Sequence, residues 1–361
     1  MYRRHLLALT SCVFLTMPSA RAADGMDPAL REKARRAVDA GLHYLRGQQA
    51  ADGSVARSVG ITALSLRGFL ESHRGYSEAD GAFVTRQVDF LLSKVNSDGS
   101  ISETLSNSSY NTAVAMVALA ATKNAKYSSV ITNAQKFLIG HQIDEGEGYK
   151  PDHRYYGGIG YGGDERPDMS NVYLAIEGMK ATSTDPKDPV WQKALAFVNR
   201  SQNRSESNDQ KWAGNDGGFI YMPGWNPGEF ENGTGSYGGM TAAGLLSLLF
   251  AGVDKSDPRV QAAYKWMTTN YTLELNPGTT KKHGIFYFYN AFAKVMSAYG
   301  EDTFTDAKGQ QHNWKSELAQ KLVSLQAADG TWVNPDSTAW WEDKPQLVTA
   351  WSVIALEHAL R

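Results

Sequence analysis

The chain has 361 residues, of which 42% are hydrophobic and 20% charged, and its formal net charge is −2. That apolar content supports a large packed core, and the charge is too sparse and too evenly spread for a disordered chain. The single cysteine, Cys12, lies in the first segment, so the rest of the chain can build no disulfide, thiolate metal site, cysteine nucleophile or thioester.

The N-terminal segment reads as a leader. Arg3 and Arg4 precede an apolar run from Leu6 to Met17, followed by Pro18, Ser19, Ala20, Arg21 and Ala22. This is the pattern of a secretory signal peptide cleaved after Ala22. The expected organisation is a signal peptide over 1–22 and one domain over 23–361, delivered to the periplasm or secreted. A lipoprotein signal ending at Cys12 fits less well, because the apolar run continues past it. The run is shorter than the roughly 20 residues a spanning helix needs, and no transmembrane segment is expected. Without residues 1–22 the chain carries 33 basic and 38 acidic residues, a net of −5, which argues against nucleic acid as a partner.

From there the chain repeats. Val38, Leu42 and Leu45 form a helical stripe and lead into GQQAADGSV (47–55). Val84, Val88, Leu91 and Val95 do the same before Asp98-Gly99. Near the C-terminus Leu318, Leu322 and Leu325 lead into SLQAADGTW (324–332), which repeats QAADG at an offset of 277 positions. Asp favours turns by bonding nearby backbone, and Gly supplies the positive φ that stops a helix. Each turn is followed by an apolar residue, Val55, Ile101, Phe219 or Trp332, and then by a Thr-Ala pair, at 62–63, 112–113, 241–242 and 349–350. The segments after the turns are apolar nearly all round, as in TAAGLLSLLFAG, and should be buried on most sides. Those before the turns carry more charge and should face solvent.

This gives six helix pairs. Outer helices are expected near 29–48, 82–95, 127–141, 188–202, 257–270 and 313–326. Inner helices are expected near 58–72, 109–123, 168–182, 238–252, 286–298 and 346–360. Two loops are much longer than the rest, YYGGIGYGGDERPD (155–168) and 211–239, and both are rich in Gly, Trp and Tyr. Long irregular loops on a helical scaffold are where function usually sits. The near-identity of the first and last turns suggests a closed ring, in which first and last units are neighbours.

With its repeated Gln-Gly-Trp turns, complete as Gln326, Gly330 and Trp332 and lacking only the Trp at Gln49 and Gly53, the chain resembles the squalene cyclase and protein prenyltransferase superfamily. GGIGYGGDERPDMSNVYLAIEGM (157–179) and GSYGGMTAAGLLSLLFAG (235–252) look like exported bacterial prenyltransferase and squalene oxidase repeat proteins. The resemblance implies an all-α fold, an α/α toroid of six inner and six outer helices, with the inner N-termini opening on one face around a central cavity.

The resemblance does not carry the family's chemistry across. Class II cyclases place an Asp-x-Asp-Asp acid directly before a Thr-Ala pair. Here Ser108, Ser109, Tyr110 and Asn111 precede Thr112, and Asp168, Met169, Ser170 and Asn171 fill the matching stretch of the third pair. The proton donor is missing. The prenyltransferase zinc site needs a Cys that the mature chain lacks. No metal site and no cofactor are expected, and His141, His153 and His283 show no ligand spacing.

The leading expectation is a binding protein holding a small-molecule, lipid or glycan ligand, with no protein partner identified. Its candidate contacts are Tyr110, Asn111, Tyr161, Asn171, Tyr173, Trp225, Tyr237, Trp340 and Trp341, where aromatic rings would line the mouth. The alternative is an enzyme on the same scaffold. A carbohydrate hydrolase or lyase using Asp164, Glu165 or Asp168 ranks above a terpene cyclase or transferase. The plainer reading of Asp168 is an N-cap of the third inner helix.

Overall fold

The computed structural model describes residues 25–162, 166–227 and 233–361. The leader expected over 1–22 lies outside them, as do Asp164 and Glu165. Among the described residues no helix is long and apolar enough to cross a membrane.

Among the described residues, twelve α-helices alternate between two rings. The outer ring comprises α1 (Pro28–Gly47), α3 (Ala82–Ser93), α5 (Ser128–Ile139), α7 (Pro189–Arg200), α9 (Pro258–Thr269) and α11 (Trp314–Leu325). The inner ring comprises α2 (Val59–Glu71), α4 (Ser108–Ala121), α6 (Met169–Ala181), α8 (Gly238–Phe250), α10 (Ile285–Tyr299) and α12 (Pro345–Leu360). Each inner helix packs on the next, and α12 packs back on α2, so the chain is an α/α toroid. A short hairpin, β1 (Thr303–Thr305) with β2 (Gln311–Asn313), is an addition that the helical periodicity did not announce.

Local chemistry sets the helix ends. Three outer helices begin with Asp-Pro: Asp27, Asp188 and Asp257 each cap their helix, and the following Pro takes the first position, where a missing N–H costs nothing. The inner helices are buried on nearly every side, as their composition requires; in α4 every residue from Asn111 to Leu119 is buried.

The repeated turn is the fastener of the ring. Gln326 Nε2 donates to Gly330 O at 3.0 Å within its own turn and to Ala37 O on α1 at 2.8 Å. Gln49 makes the same pair of bonds to Gly53 O and, on α3, to Phe83 O. Gln142 and Gln202 repeat the pattern onto Val190 O of α7 and Arg259 O of α9. Each of these four turns thus docks on the next outer helix, and the last docks on the first. In the third and fourth turns Gln and Gly stand 15 residues apart instead of 4, yet the bonds are kept. Residues 143–156 and 203–216 are insertions between two fixed points.

The Thr of each Thr-Ala pair is also structural. Thr62, Thr112, Thr241 and Thr349 accept the buried backbone N–H of Val55, Ile101, Phe219 and Trp332. Those are the apolar residues that follow the turns, so the Thr ties each turn to its inner helix and satisfies a donor that burial would otherwise strand.

Candidate functional site

The inner helices enclose a cavity of about 750 Å³ that opens toward their N-terminal ends. Its walls are mostly apolar, with rings from several helices and loops. Tyr110 heads α4 and lies at 6.0 Å from Tyr161 of the third loop, the two rings stacked. Gly60 on α2 makes room for Tyr110, since a Cβ there would sit 2.8 Å from its ring. Tyr287 on α10 packs edge-on against Trp351 of α12. Burial pushes the Tyr110 phenol up to about 12, so it stays a neutral donor at any physiological pH.

The lip is held by a buried carboxylate. Glu342 accepts the backbone N–H groups of Ile285, Phe286 and Tyr287, the free donors at the start of α10, and the Asn334 amide at 2.7 Å. Burial raises its pKa to about 7 against those hydrogen bonds. The anchor holds Trp340 and Trp341 over the cavity with φ of 60° at both, a left-handed conformation that non-glycine residues avoid. Gly284 lies directly beneath the Trp340 ring.

At the inner end of the cavity the wall residues Tyr173 and Lys294 join an ionic cluster behind them. Arg67 of α2 donates to Glu177 Oε1 of α6 at 2.7 Å, and Lys294 of α10 donates to Glu177 Oε2 at 3.1 Å and to the Tyr173 hydroxyl at 2.9 Å. Alternate helices of the inner ring are therefore joined across its centre. Burial works against ionising Glu177, but the two cations prevail and hold its pKa at about 2. Burial, reinforced by Arg67, brings Lys294 down to about 8. Helix periodicity places Tyr287, Asn290 and Lys294 on one face of α10, and all three line the cavity.

Of the nine candidate contacts, Tyr110, Asn111, Tyr161, Tyr173, Tyr237, Trp340 and Trp341 line the cavity. Two do not. Asn171 is buried behind the wall, its amide bonded to Asp168 Oδ2 at 2.7 Å. Trp225 is 49% exposed and packs on the outer side of Tyr221, because the tight Met222–Trp225 turn carries it away from the ring. Sequence reasoning missed Lys294, Asn290, Tyr287 and Trp351. A lysine in the otherwise apolar run IFYFYNAFAKVMSAY was the available signal.

Asp168 caps α6, its Oδ1 accepting the Asn171 N–H at 3.0 Å. It does not line the cavity; Tyr221 hydrogen-bonds it and in turn bonds Tyr161, which does. Burial raises Asp168 to about 6. Between pH 3.8 and about 6 the unfolded acid ionises before the folded one, so the folded state binds more protons and Asp168 subtracts stability as pH rises. Asp168→Asn keeps the cap acceptor and removes that titration. Urea unfolding from pH 3.5 to 7 should show the variant losing less stability over this window, with unchanged ligand affinity at pH 7.

Among the described residues no pair of carboxylates lines the cavity, and no group of three or more His, Cys, Asp or Glu could hold a metal. His141, just past α5, bonds that helix at Phe137 O, and His283 bonds Ser337.

No family model matches the chain, and no curated protein matches it in sequence. Its shape has relatives among solved structures. A protein from Actinoplanes is 16% identical, with a TM-score of 0.53 over 90% of this chain and 99% of that one. The type II terpene cyclase MstE from Scytonema, without ligand, is 14% identical, with a TM-score of 0.54 over 90% and 98%. A glycosidase variant is 12% identical, with a TM-score of 0.55 over 93% and 99%. At these identities the likeness establishes the toroid and nothing about the reaction.

Proposed function

We propose that this chain is an exported binding protein that holds one elongated, apolar small molecule, of lipid or isoprenoid character, in the centre of its ring. The observation that carries the reading is the cavity itself: about 750 Å³ left open by the protein's own side chains, in a ring whose other inner surfaces are closely packed. A purely structural toroid would fill that space, since interiors pack to crystal-like density. The size falls within the range of small-molecule sites, and aromatic walls with a few convergent polar groups are their usual lining. That a terpene cyclase shares the fold is compatible with an apolar ligand. The hydrolase alternative draws no support from Asp168, which is committed to capping α6 behind the wall.

Trp340, Trp341 and Trp351 line the cavity and report on it. Titration with farnesol should change tryptophan fluorescence saturably at micromolar concentration, while cellotetraose should leave it unaltered. Saturation by the oligosaccharide and not by farnesol would replace the apolar ligand with a glycan. Native mass spectrometry of protein purified gently from its own compartment would identify the natural occupant.

A further inference from the structure

The cavity's inner end contains a group that simple enclosure of an apolar molecule does not require. The Lys294 side chain is 3% exposed, yet it forms part of the cavity wall. Arg67 is shared between Glu71 and Glu177, so Lys294 completes a cluster of two acids and two cations while also facing the cavity. An ammonium has three donors, and Lys294 gives two of them to protein, to Tyr173 and Glu177. One N–H is left over, on a residue that lines the cavity.

We propose that Lys294 captures an aldehyde at the end of an apolar chain as an imine, the chain lying among the aromatic walls and the carbonyl reaching the Tyr173–Lys294–Glu177 cluster. The inference rests on the cavity being a ligand site. Two features suit a lysine to this chemistry: burial away from water and a neighbouring cation both favour the neutral amine. Both are present, and burial together with Arg67 brings Lys294 to about 8. The other ionisable groups acting on it are Glu71 of α2, Glu177 and Tyr173 of α6, and His358 of α12. The neutral Nζ adds its lone pair to the carbonyl carbon, and a proton passes from nitrogen to the carbonyl oxygen through the Tyr173 hydroxyl. The resulting carbinolamine loses that oxygen as water as the C=N bond forms. The balance is one amine and one aldehyde to one imine and one water, with no oxidant or reductant. Protonation of the imine leaves a cation that Glu177 can pair as it pairs the ammonium.

The test uses the full mature chain, decanal as probe and cyanoborohydride to reduce the imine to a stable secondary amine, with decan-1-ol as an unreactive companion of the same length. Peptide mapping by mass should find Lys294 alkylated about ten-fold faster than any surface lysine at pH 7.5, because far more of it is free amine. The rate should rise with a midpoint near pH 8 rather than 10.5. Decan-1-ol should compete, and Lys294→Met should abolish the fast phase. Mapping of the wild-type chain decides the matter even if that variant folds poorly. If decan-1-ol changes the tryptophan fluorescence while Lys294 stays unmodified, the imine is overturned and the binding site stands. If neither probe affects the cavity tryptophans or Lys294, both are overturned.

Discussion

Glu177→Gln is expected to destabilise the toroid by about 3–5 kcal/mol at pH 7, the usual cost of leaving a buried charge without its partner. The carboxylate sits between Arg67 and Lys294, and its loss leaves two cations facing each other where water cannot screen them. Among the described residues no other acid bonds both cations. Glu71 also bonds Arg67, so the arginine keeps one partner, whereas Lys294 keeps only the Tyr173 hydroxyl. The pH dependence separates this from a packing defect. The folded pKa of Glu177 is depressed to about 2 from 4.5, so its contribution is present above pH 4.5 and is lost as pH falls toward 2. The stability gap between wild type and Glu177→Gln should therefore be largest near pH 6 to 7 and narrow between pH 4.5 and 2. A gap that stays constant with pH in urea unfolding would mean that the ionic bridge is not its cause.

Gly330→Ala should open the ring at its seam. Gly330 has φ of +87°, and a Cβ added there would stand 2.6 Å from Ala40 O and 2.8 Å from its carbon, backbone atoms of α1 that cannot swing aside. Gly309 is a useful control, with φ of +80° and open space around it. Gly309→Ala should cost only the left-handed penalty, about 1–2 kcal/mol. Gly330→Ala should cost that and the separation of turn from helix as well, several kcal/mol in all on the scale of a lost docking contact. Hydrogen exchange should show early loss of protection in α1 and α11, the elements on the two sides of the seam. Equal effects of the two substitutions would show that the turn's docking on α1 adds nothing to stability.

The helical ring was legible in the sequence because its determinants are local. Apolar stripes and Asp-Gly turns placed the twelve helices to within a few residues, and Asp-Pro caps then fix the starts of three of them in the structure. The repeated QAADG hinted at closure, and the reason proves specific: Gln326 and Gly330 grip α1 as Gln49 and Gly53 grip α3. The site was legible in part. Rings at inner-helix starts and in the loops just before them, such as Tyr110 and Trp340, could be nominated because the resemblance implied which ends face the opening. Trp225 could not be separated from them, since a four-residue turn decides which way a loop ring faces, and composition is blind to that.

What the sequence determined by itself was therefore the repeat, the inner and outer character of each helix and the absence of a cyclase acid and of a thiolate metal site. Only the tertiary structure could decide that Arg67, Glu177 and Lys294, separated by 110 and 117 residues, meet across the ring and that Asp168 turns away from the cavity. Helix periodicity is written in neighbours a few residues apart. A charge contact across the lumen depends instead on how far the ring closes and how each inner helix is rotated within it, and both are set by the packing of the entire circle.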